Sequence, residues 1–386
     1  MAKYETHFIS QNKVPNGYIG VYNGTELVGK VKADNLKIPP LGNKLYSFGA
    51  LSDVHVSNAN LSKFQKALAY FNNTEGVAFT CIAGDLTPNG KADDFNTYNA
   101  AVEPYSAPIP VYEITGNHDV ETSGIAPFLT KESTKSHTGH LLYYTVSNKP
   151  TDEETCNYYN ETVGSNDVFI MFGMSGWINK TGSTFTAGAL QWLYETLEAN
   201  RNKRCFVFEH CPSIAHQLIY LEDGSSLTIV VENNGNGEPY NNSTSGSLLG
   251  VRIPTGELIN RDTSGLCFRQ LMAHYKNIIW FHGHSHMDFY YQEDCSQINY
   301  DKNFGCHSVH IPALASGRKL KADGSGWENP VGGYGYVVDV YENHIVLRGR
   351  DFVAEKFVPI ATFCLDTTPQ IIEAGTFTDT TGIIVT

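Results

Sequence analysis

Five short motifs of the chain combine residue types that bind divalent metal ions, and each follows an apolar run typical of a buried strand. Carboxylate oxygens, amide oxygens and imidazole nitrogens together suit Mn, Fe, Zn, Co or Ni better than Ca or Mg. The set is large enough for two adjacent ions, and a dinuclear centre of this kind favours hydrolysis of phosphoesters. The motifs, in chain order, are Asp53-Val54-His55, Gly84-Asp85, Gly116-Asn117-His118-Asp119, Glu209-His210-Cys211-Pro212 and Gly283-His284-Ser285-His286.

The spacing within the motifs supports shared ligation. Asp53 and His55 are two residues apart, so both side chains point to the same side of an extended backbone. Asp85 follows a glycine, which admits close approach of other backbone, and its two carboxylate oxygens can bridge two ions. A Gly-Asp pair alone is most often a turn, and a capping turn is the rival explanation for Gly-Asn-His-Asp. The joint occurrence of all the motifs in this order favours the metal centre.

The segments before the first three motifs predict a repeated β-α-β unit. Asp53, Asp85 and Asn117 follow one another at intervals of 32 residues, the length of such a unit. Ligands of open α/β sheets bind beyond the carboxyl ends of the strands, so this spacing brings the three side chains to one edge. The pattern predicts strands at 46–51, 77–83 and 109–114, a helix at 94–102, and a helix capped by Asn60 with Leu61, Phe64, Ala67, Leu68 and Phe71 on its apolar face.

The rest of the chain predicts further strands and helices and, through alternation near the end, a second sheet. Strands are expected at 167–174, 205–208, 277–281, 334–341 and 345–352, and helices at 187–197 and 266–275.

The domain organisation follows from where this pattern begins and stops. Residues 1–45 are rich in turns and predict a small appended β element, and residues 46–365 predict the main domain. Residues 213–264 form a polar insertion rich in Gly, Asn and Ser. It is a candidate lid, and a disordered surface loop is the equal alternative. The pattern does not place the Thr-rich tail, 366–386.

The series D-x-H, GD, GNH(D/E), H and GHxH resembles the pattern of the calcineurin-like metallophosphoesterase superfamily, and every element is present from Asp53 to His286. The resemblance covers roughly residues 46–350 and implies an α/β fold, a four-layer α/β/β/α sandwich, with two metal ions at the strand ends. It implies Asp53, His55, Asp85 and His286 as ligands of the first ion, and Asp85, Asn117, His210 and His284 as ligands of the second.

The same resemblance implies a mechanism. A hydroxide that bridges two divalent ions, with Mn or Fe favoured and Zn, Ni or Co as alternatives, attacks phosphorus in line. His118 is the general acid for the leaving oxygen, and Asp119 orients its imidazole. Asn117 and His118 are the expected contacts to the substrate, a small-molecule phosphoester.

The second motif narrows the branch of the superfamily. GDLTxxG, here Gly84 to Gly90, together with GNHD resembles the phosphodiesterase branch. The chain lacks the Arg that protein Ser/Thr phosphatases carry shortly after this motif, and Pro88 stands where purple acid phosphatases place a Tyr. We therefore expect a phosphodiesterase, with a phosphomonoesterase of the same superfamily as the alternative.

Composition bounds the partners and the location. The formal net charge of -13 disfavours general nucleic-acid binding. The length of 386 residues and the hydrophobic content of 41% allow a large core. No apolar stretch is long enough to span a membrane. The start lacks a secretory signal and the eight cysteines include no CxxC pair, so we expect a cytoplasmic protein.

The alternative from another class is a binding or structural protein that keeps the phosphoesterase fold. The segment 1–45 and the Thr-rich tail are additions of the kind that attach enzymes to an oligomer or an assembly. Residues 334–366 resemble phosphoesterases of gut Firmicutes and their phages, which makes a virion-associated role the specific form of this alternative. The complete ligand set disfavours an inert scaffold. A structural role is expected for His282, and core packing for Trp177.

Overall fold

The computed structural model describes most of the chain between Tyr18 and residue 367. The residues described are 18–23, 26–32, 43–106, 109–129, 141–148, 163–164, 166–178, 182–211, 215–220, 226–231, 268, 272, 275, 277–286, 288–289, 298–301, 306–320, 327–328 and 333–367.

The described helices are mostly short and lie before residue 200. They are α1 (Leu61–Asn72), α2 (Ala92–Ser106), α3 (Asn117–Val120), α4 (Ala126–Leu129) and α5 (Ala187–Ala199), with a 3-10 turn at Val146–Asn148.

The strands are β1 (Tyr18–Asn23), β2 (Glu26–Lys32), β3 (Tyr46–Leu51), β4 (Val77–Ile82), β5 (Val111–Glu113), β6 (Tyr143–Thr145), β7 (Asp167–Phe172), β8 (Gly176–Ile178), β9 (Gly182–Thr184), β10 (Arg204–Phe208), β11 (Ala215–Tyr220), β12 (Ser226–Val231), β13 (Ile278–His282), β14 (Ile298–Asp301), β15 (Cys306–His310), β16 (Lys319–Leu320), β17 (Trp327–Glu328), β18 (Tyr334–Val340), β19 (His344–Asp351) and β20 (Lys356–Asp366).

Two mixed six-stranded sheets form the centre of the fold. The first has the strand order β20-β19-β18-β3-β4-β5, and the second has the order β14-β15-β13-β10-β7-β6. Within the first sheet β3, β4 and β5 run parallel, and within the second sheet β7, β10, β13 and β15 run parallel. The parallel strands explain the common direction of the loops that carry the motifs.

The two sheets pack face to face through a continuous aromatic core. Phe48 of β3 meets Phe169 of β7 edge-on at 4.9 Å between ring centroids, and Phe169 stacks on Phe206 of β10 at 4.5 Å. These rings belong to one buried cluster with residues of both sheets. Edge-to-face and stacked pairs at these distances add to the energy of apolar burial.

Helices cover the outer face of each sheet. α1 and α2 bury Phe64, Phe71 and Phe95 against the first sheet, while α5 buries Leu190 and Leu193 against the second. The layers are therefore α/β/β/α, and the predicted fold is confirmed. No helix among the described residues is long and apolar enough to cross a bilayer.

The predicted elements agree with the structure in kind, with small shifts at their ends. Strand 46–51 matches β3, and the strands predicted at 167–174 and 277–281 correspond to β7 and β13. The helix predicted at 94–102 runs from Ala92 to Ser106 and contains Pro104. The helix predicted at 266–275 lies mainly outside the described residues, as does the tail beyond residue 367.

Two segments outside the main pattern contain antiparallel pairs. β1 pairs with β2 inside the predicted N-terminal element, and β11 pairs with β12 inside the insertion 213–264. The start of that insertion is therefore a strand pair, where the sequence predicted a polar loop. The domain boundaries and the lid role stay predictions.

Candidate metal centre

All seven predicted ligands lie just after the carboxyl ends of parallel strands, six in loops and Asn117 at the start of α3. Asp53 follows β3, Asp85 follows β4, and Asn117 begins α3 just after β5. His210 follows β10 in the second sheet, and the last motif follows β13. Because the two sheets face each other, their loops meet at one edge of the sandwich.

The first predicted group of ligands converges tightly. One donor atom from each of Asp53, His55, Asp85 and His286 lies within 4.8 Å of the others, so these four residues could hold a metal ion. His286 Nε2 is 3.0 Å from Asp53 Oδ1, and His55 Nε2 is 3.3 Å from His286 Nε2 and 3.4 Å from Asp85 Oδ2.

The second predicted group lies directly beside the first. His210 Nε2 is 3.2 Å from Asn117 Oδ1 and 3.3 Å from Asp85 Oδ2, and His284 Nδ1 is 2.9 Å from Asn117 Oδ1. Asp85 Oδ2 therefore faces both groups. Its Oδ1 accepts the backbone N–H of His118 at 2.9 Å, and the bridge through both oxygens of Asp85 stays a prediction.

Backbone carbonyls fix the tautomer of three of these imidazoles. A carbonyl oxygen only accepts, so each ring must carry a proton on Nδ1. Nε2 is then the nitrogen that could bind a metal ion. The pairs are His55 Nδ1 with Thr87 O at 3.3 Å, His210 Nδ1 with Ala83 O at 2.7 Å, and His286 Nδ1 with Ser316 O at 2.9 Å.

The backbone is strained at these positions. Among the described residues, six that are not glycine have a positive φ, and five of the six are predicted ligands. A left-handed backbone costs such residues of order 1–3 kcal/mol each and persists where the surrounding structure enforces it. The five are Asp53 (φ 50), His55 (φ 36), Asp85 (φ 53), His284 (φ 70) and His286 (φ 59).

Gly84 lets the strand ends of the two sheets approach. Its φ is +83, and a Cβ at this position would lie 2.7 Å from His210 Nδ1 and 2.9 Å from the Cα of Gly116. Only glycine satisfies both the left-handed conformation and this contact. The glycine of the second motif is thus part of the site's construction.

The charges of the two groups depend on mutual pairing. Burial alone would raise the pKa of Asp53, but the imidazoles of His286 and His210 hold it well below its usual range. Burial alone would lower the pKa of His210, but the carboxylates of Asp85 and Asp53 raise it to about 10. Carboxylates therefore stay ionised here, and metal binding must displace protons from imidazoles.

Two buried atoms in the site are poorly satisfied, which is the arrangement a metal ion would complete. His284 Nε2 has no hydrogen-bond partner among the described residues, and Asp53 Oδ1 has none of good geometry. Burial and the nearby His210 lower the pKa of His284 to about 3, which keeps this ring neutral and able to ligate. The mixed oxygen and nitrogen donors fit the predicted transition metals.

His118 and Asp119 lie beside the ligands, but they do not pair with each other as predicted. The His118 ring is 4.7 Å from the His55 ring, and its Nδ1 donates to Pro88 O at 2.9 Å. The Asp119 carboxylate accepts from Leu86 N–H, Thr87 N–H, the Thr87 hydroxyl and Gly116 N–H. Burial and the Asp85 carboxylate raise the pKa of Asp119 to about 7, against these hydrogen bonds, which lower it.

Sequence reasoning missed several supporting groups. Asn60 stands at the N-cap of α1 as predicted, yet its side chain makes no cap hydrogen bond. It donates instead to His55 O at 2.7 Å and accepts from Ser57 N–H at 2.8 Å. The orienting carbonyls are invisible in a sequence because every residue has one.

The histidines next to the site have structural partners. His282 Nε2 lies 2.9 Å from Ser308 Oγ, and His310 Nε2 lies 2.7 Å from Ser285 Oγ, in a buried layer beneath the last motif. Trp177 of β8 is partly buried, and its ring lies 5.1 Å from that of His284. One wall of the site is therefore aromatic.

The family model described as calcineurin-like phosphoesterase matches residues 46–288. No curated protein matches the sequence.

Three solved structures are similar to the chain at low sequence identity. "GAP50 the anchor in the inner membrane complex of Plasmodium" is 10% identical with a TM-score of 0.46, over 84% of this chain and 89% of that one. A predicted phosphoesterase from Streptococcus pneumoniae is 8% identical with a TM-score of 0.33, over 83% and 97%. Vacuolar Protein Sorting 29 from Cryptosporidium parvum is 10% identical with a TM-score of 0.30, over 83% and 98%. At such low similarity, no property of these proteins is carried over to this chain.

Proposed function

Because the chain belongs to the calcineurin-like phosphoesterase family, we propose that it is a hydrolase with two divalent metal ions that prefers phosphodiesters. The observation that carries the proposal is the convergence of donor atoms from four ligand residues within 4.8 Å. Five ligand residues of the two groups also have strained backbone. Such strain is retained where function requires the geometry.

The proposed ligands divide into two groups that share Asp85, with Mn or Fe as the favoured metals. When bound, the two ions neutralise charge on the phosphoryl oxygens and make a water nucleophilic at neutral pH. The protein supplies imidazoles whose Nδ1–H is committed to a carbonyl, so Nε2 is the nitrogen that would bind metal once any proton on it is released. The groups are Asp53, His55, Asp85 and His286, and Asp85, Asn117, His210 and His284.

His118 supplies the proton in this proposal. Its Nδ1–H donates to Pro88 O, so Nε2 is the atom that protonates the leaving oxygen. The ring is partly exposed and lies next to the metal ligand His55, where a bound ester would reach it. A positioned general acid contributes about 10²–10⁴-fold to the rate. Asn117 and His118 are also the proposed substrate contacts.

The preference for diesters rests on the second and third motifs taken together. Thr87 of the GDLTxxG series donates its hydroxyl to Asp119 of GNHD at 2.8 Å, and Gly90 donates its N–H to the Thr87 hydroxyl at 2.9 Å. Hydrogen bonds thus join the loop 86–90 to α3 through the residues that mark the phosphodiesterase-like branch. Their joint role supports reading them as one signature.

The alternatives are a phosphomonoesterase and a protein of an assembly or virion that keeps the fold. An inert scaffold gains nothing from strained, closely packed ligands, so the site favours an enzyme. A cytoplasmic location stays a prediction.

The proposal is tested by hydrolysis of bis-p-nitrophenyl phosphate and p-nitrophenyl phosphate by the full chain with added Mn²⁺. Both substrates release the same chromophore, so kcat/KM compares diester and monoester directly. We expect turnover of both, with the diester faster, and loss of turnover in EDTA. Fe, Zn, Co and Ni are then compared on the diester.

Each other outcome removes a part of the proposal. If neither substrate is hydrolysed with any of the metals, the proposal that the protein is an enzyme is wrong. A higher kcat/KM for the monoester overturns the diester preference alone. Turnover that survives EDTA and dialysis contradicts the metal requirement.

A further inference from the structure

We infer that Asp119 is a positioning residue that orients two imidazoles at once, His118 and His55, through the backbone of the loop 86–90. It contacts neither ring in the hydrogen bonds of the described residues. The inference rests on the proposed function, since His118 and His55 are assigned there as general acid and metal ligand. It concerns how the loop holds them, and it is testable without turnover.

The Asp119 carboxylate is fully buried and clamps the start of the loop. Its Oδ1 accepts Thr87 N–H at 2.9 Å and the Thr87 hydroxyl at 2.8 Å. Its Oδ2 accepts Leu86 N–H at 3.0 Å and Gly116 N–H at 2.9 Å. Four donors on two oxygens fill most of the acceptor capacity of a carboxylate, so the loop has one well-defined position relative to α3.

The clamped loop presents two successive carbonyls to two different rings. Thr87 O accepts from His55 Nδ1 at 3.3 Å, and Pro88 O accepts from His118 Nδ1 at 2.9 Å. The two rings meet edge to face at 4.7 Å between centroids. A shift of the loop therefore moves the metal ligand and the general acid together.

Gly90 closes the loop onto the helix that carries Asp119. It has φ +65, and a Cβ there would lie 2.3 Å from the backbone oxygen of Asp119. Its N–H donates to the Thr87 hydroxyl at 2.9 Å. The loop is held at its start by the Asp119 side chain and at its end by contact with the Asp119 backbone.

Weakening this clamp affects both the proton and the metal. Asp119→Asn replaces one acceptor oxygen with an NH₂ group that faces a backbone N–H, which leaves a buried donor unpaired. A displacement of about 1 Å of a catalytic group can cost about 10²-fold. Loss of a partner that orients a metal ligand typically costs about 10–100-fold in affinity or activity.

The test uses Asp119→Asn together with the pair Thr87→Val and Thr87→Ser in the full chain. Thr87→Val removes the hydroxyl that links Asp119 to Gly90, and Thr87→Ser keeps it. Thr97→Val, at an exposed position of α2, is the control for a Thr-to-Val change. We expect Asp119→Asn and Thr87→Val to lower Mn²⁺ affinity about 10-fold or more in calorimetry, with Thr87→Ser close to the wild type.

Leaving-group dependence separates an effect on His118 from a general loss of structure. Hydrolysis of diphenyl phosphate needs protonation of the leaving oxygen more than hydrolysis of bis-p-nitrophenyl phosphate does. We expect Asp119→Asn to slow the first substrate more than the second. In the His118→Ala background this difference disappears, while the loss of metal affinity through His55 persists.

Histidine ¹⁵N spectra of the Zn²⁺-loaded protein give a readout without turnover. The His118 signal is assigned from its loss in His118→Ala. At a pH where the His118 ring carries one proton, we expect the Nδ1–H tautomer in the wild type and a mixture of tautomers in Asp119→Asn and Thr87→Val.

The outcomes are separable. If Asp119→Asn folds, with wild-type Mn²⁺ affinity and an unchanged His118 tautomer, the inference is wrong. If Asp119→Asn does not fold, the Thr87 pair decides, and equal affinities of Thr87→Val and Thr87→Ser overturn it. If the wild type hydrolyses no ester, the proposed function fails, while the affinity and tautomer measurements still test the clamp.

Discussion

Two buried polar clusters lie at opposite ends of the same strands and differ in how completely their polar groups are paired. The metal-centre cluster follows the ends of β3 and β10, whereas the cluster around Arg204 lies where β3, β7 and β10 begin. In the Arg204 cluster the guanidinium donates to both oxygens of Asp167 at 2.7 and 2.8 Å, and to Tyr341 O and Thr367 Oγ1. Tyr46 adds its hydroxyl to Asp167 at 2.7 Å.

The metal-centre cluster is also mostly buried, with His284 and His286 partly exposed, but its pairing is incomplete. Two imidazole nitrogens face each other at 3.3 Å, and His284 Nε2 has no hydrogen-bond partner in the described part of the chain. Its backbone is left-handed at five ligand positions, and the positive-φ residues include none of the Arg204 cluster. The Arg204 cluster, whose buried charges are paired, thus joins the two sheets. The metal-centre cluster, with incompletely paired polar atoms and a strained backbone, is the site that acts on a ligand.

The largest effect is expected from Asp85→Asn, because Asp85 Oδ2 faces both ligand groups. We expect kcat/KM to fall at least about 1,000-fold, since bound metal supplies several kcal/mol of transition-state stabilisation. The wild type should gain about 2.7 kcal/mol of unfolding free energy when Mn²⁺ is at 100 times Kd, and Asp85→Asn should gain almost none. Denaturant unfolding with and without Mn²⁺ measures the gain.

Glu121→Gln is the control, because this exposed side chain near α3 belongs to neither cluster. It should keep the full gain from Mn²⁺. A wild-type gain in Asp85→Asn would remove Asp85 from the metal centre.

Arg204→Met probes the opposite cluster and should act on stability alone. It leaves the Asp167 carboxylate buried without its charged partner, so we expect a loss of about 3–5 kcal/mol in unfolding free energy. The gain from Mn²⁺ should remain. Arg201→Met, which breaks the partly exposed pair with Glu198 at 3.2 Å, should cost less than about 1 kcal/mol. Loss of Mn²⁺ binding in folded Arg204→Met would contradict the separation of the two clusters.

His310 tests whether the buried layer beneath the last motif contributes to stability, as the Arg204 cluster does. Burial lowers the pKa of His310 from 6.5 to about 4. Between these values the unfolded chain binds a proton that the folded chain does not, so stability is full above pH 6.5 and falls as the pH drops toward 4. The loss is about 3 kcal/mol over this range.

His310→Gln should therefore reduce the dependence of the unfolding free energy on pH between 6.5 and 4, while His284, whose pKa is also lowered, keeps part of the slope. The partly exposed His344 gives the control, His344→Gln, which should keep the wild-type slope. An unchanged slope in His310→Gln would show that His310 is not held neutral by the fold. Metal-free protein is used throughout, so that ligand protonation by metal loss does not enter.

The smallest effect is expected from removing one hydroxyl of the satisfied cluster. Tyr46→Phe deletes the hydrogen bond to the charged Asp167, which should cost about 1.5–3 kcal/mol. Tyr336→Phe is a matched control on the neighbouring strand β18, because the Tyr336 hydroxyl is buried with no hydrogen bond among the described residues. Equal costs for the two variants would show that the hydroxyl of Tyr46 adds nothing to the Arg204 cluster.

The elements of the core were predictable because apolar periodicity follows from burial. β3, β4, β7 and β10 are buried on both faces and appear in the sequence as continuous apolar runs. β20 was not predicted, since it contains Pro359 and alternates weakly. It lies at the edge of its sheet, where a residue without an N–H is tolerated.

The site was predictable in its ligand types but not in its supports. The sequence predicted Asp119 as the partner of His118, and the structure places Pro88 O in that position instead. A carboxylate next to a histidine in the sequence suggests that the two side chains form a hydrogen bond. Neighbouring residues at the start of a helix point in different directions, however, so Asp119 reaches the loop 86–90 rather than the ring.

The sequence by itself determined the donor types, their order and their place after strands, because side-chain chemistry and strand periodicity are local properties. Tertiary structure alone decided that Asp85 Oδ2 faces both ligand groups, that carbonyls of Thr87, Ala83 and Ser316 set the imidazole tautomers, and that Asp119 clamps a loop. These contacts join backbone groups distant along the chain. Every residue carries the same backbone atoms, so only packing selects which carbonyl meets which ring.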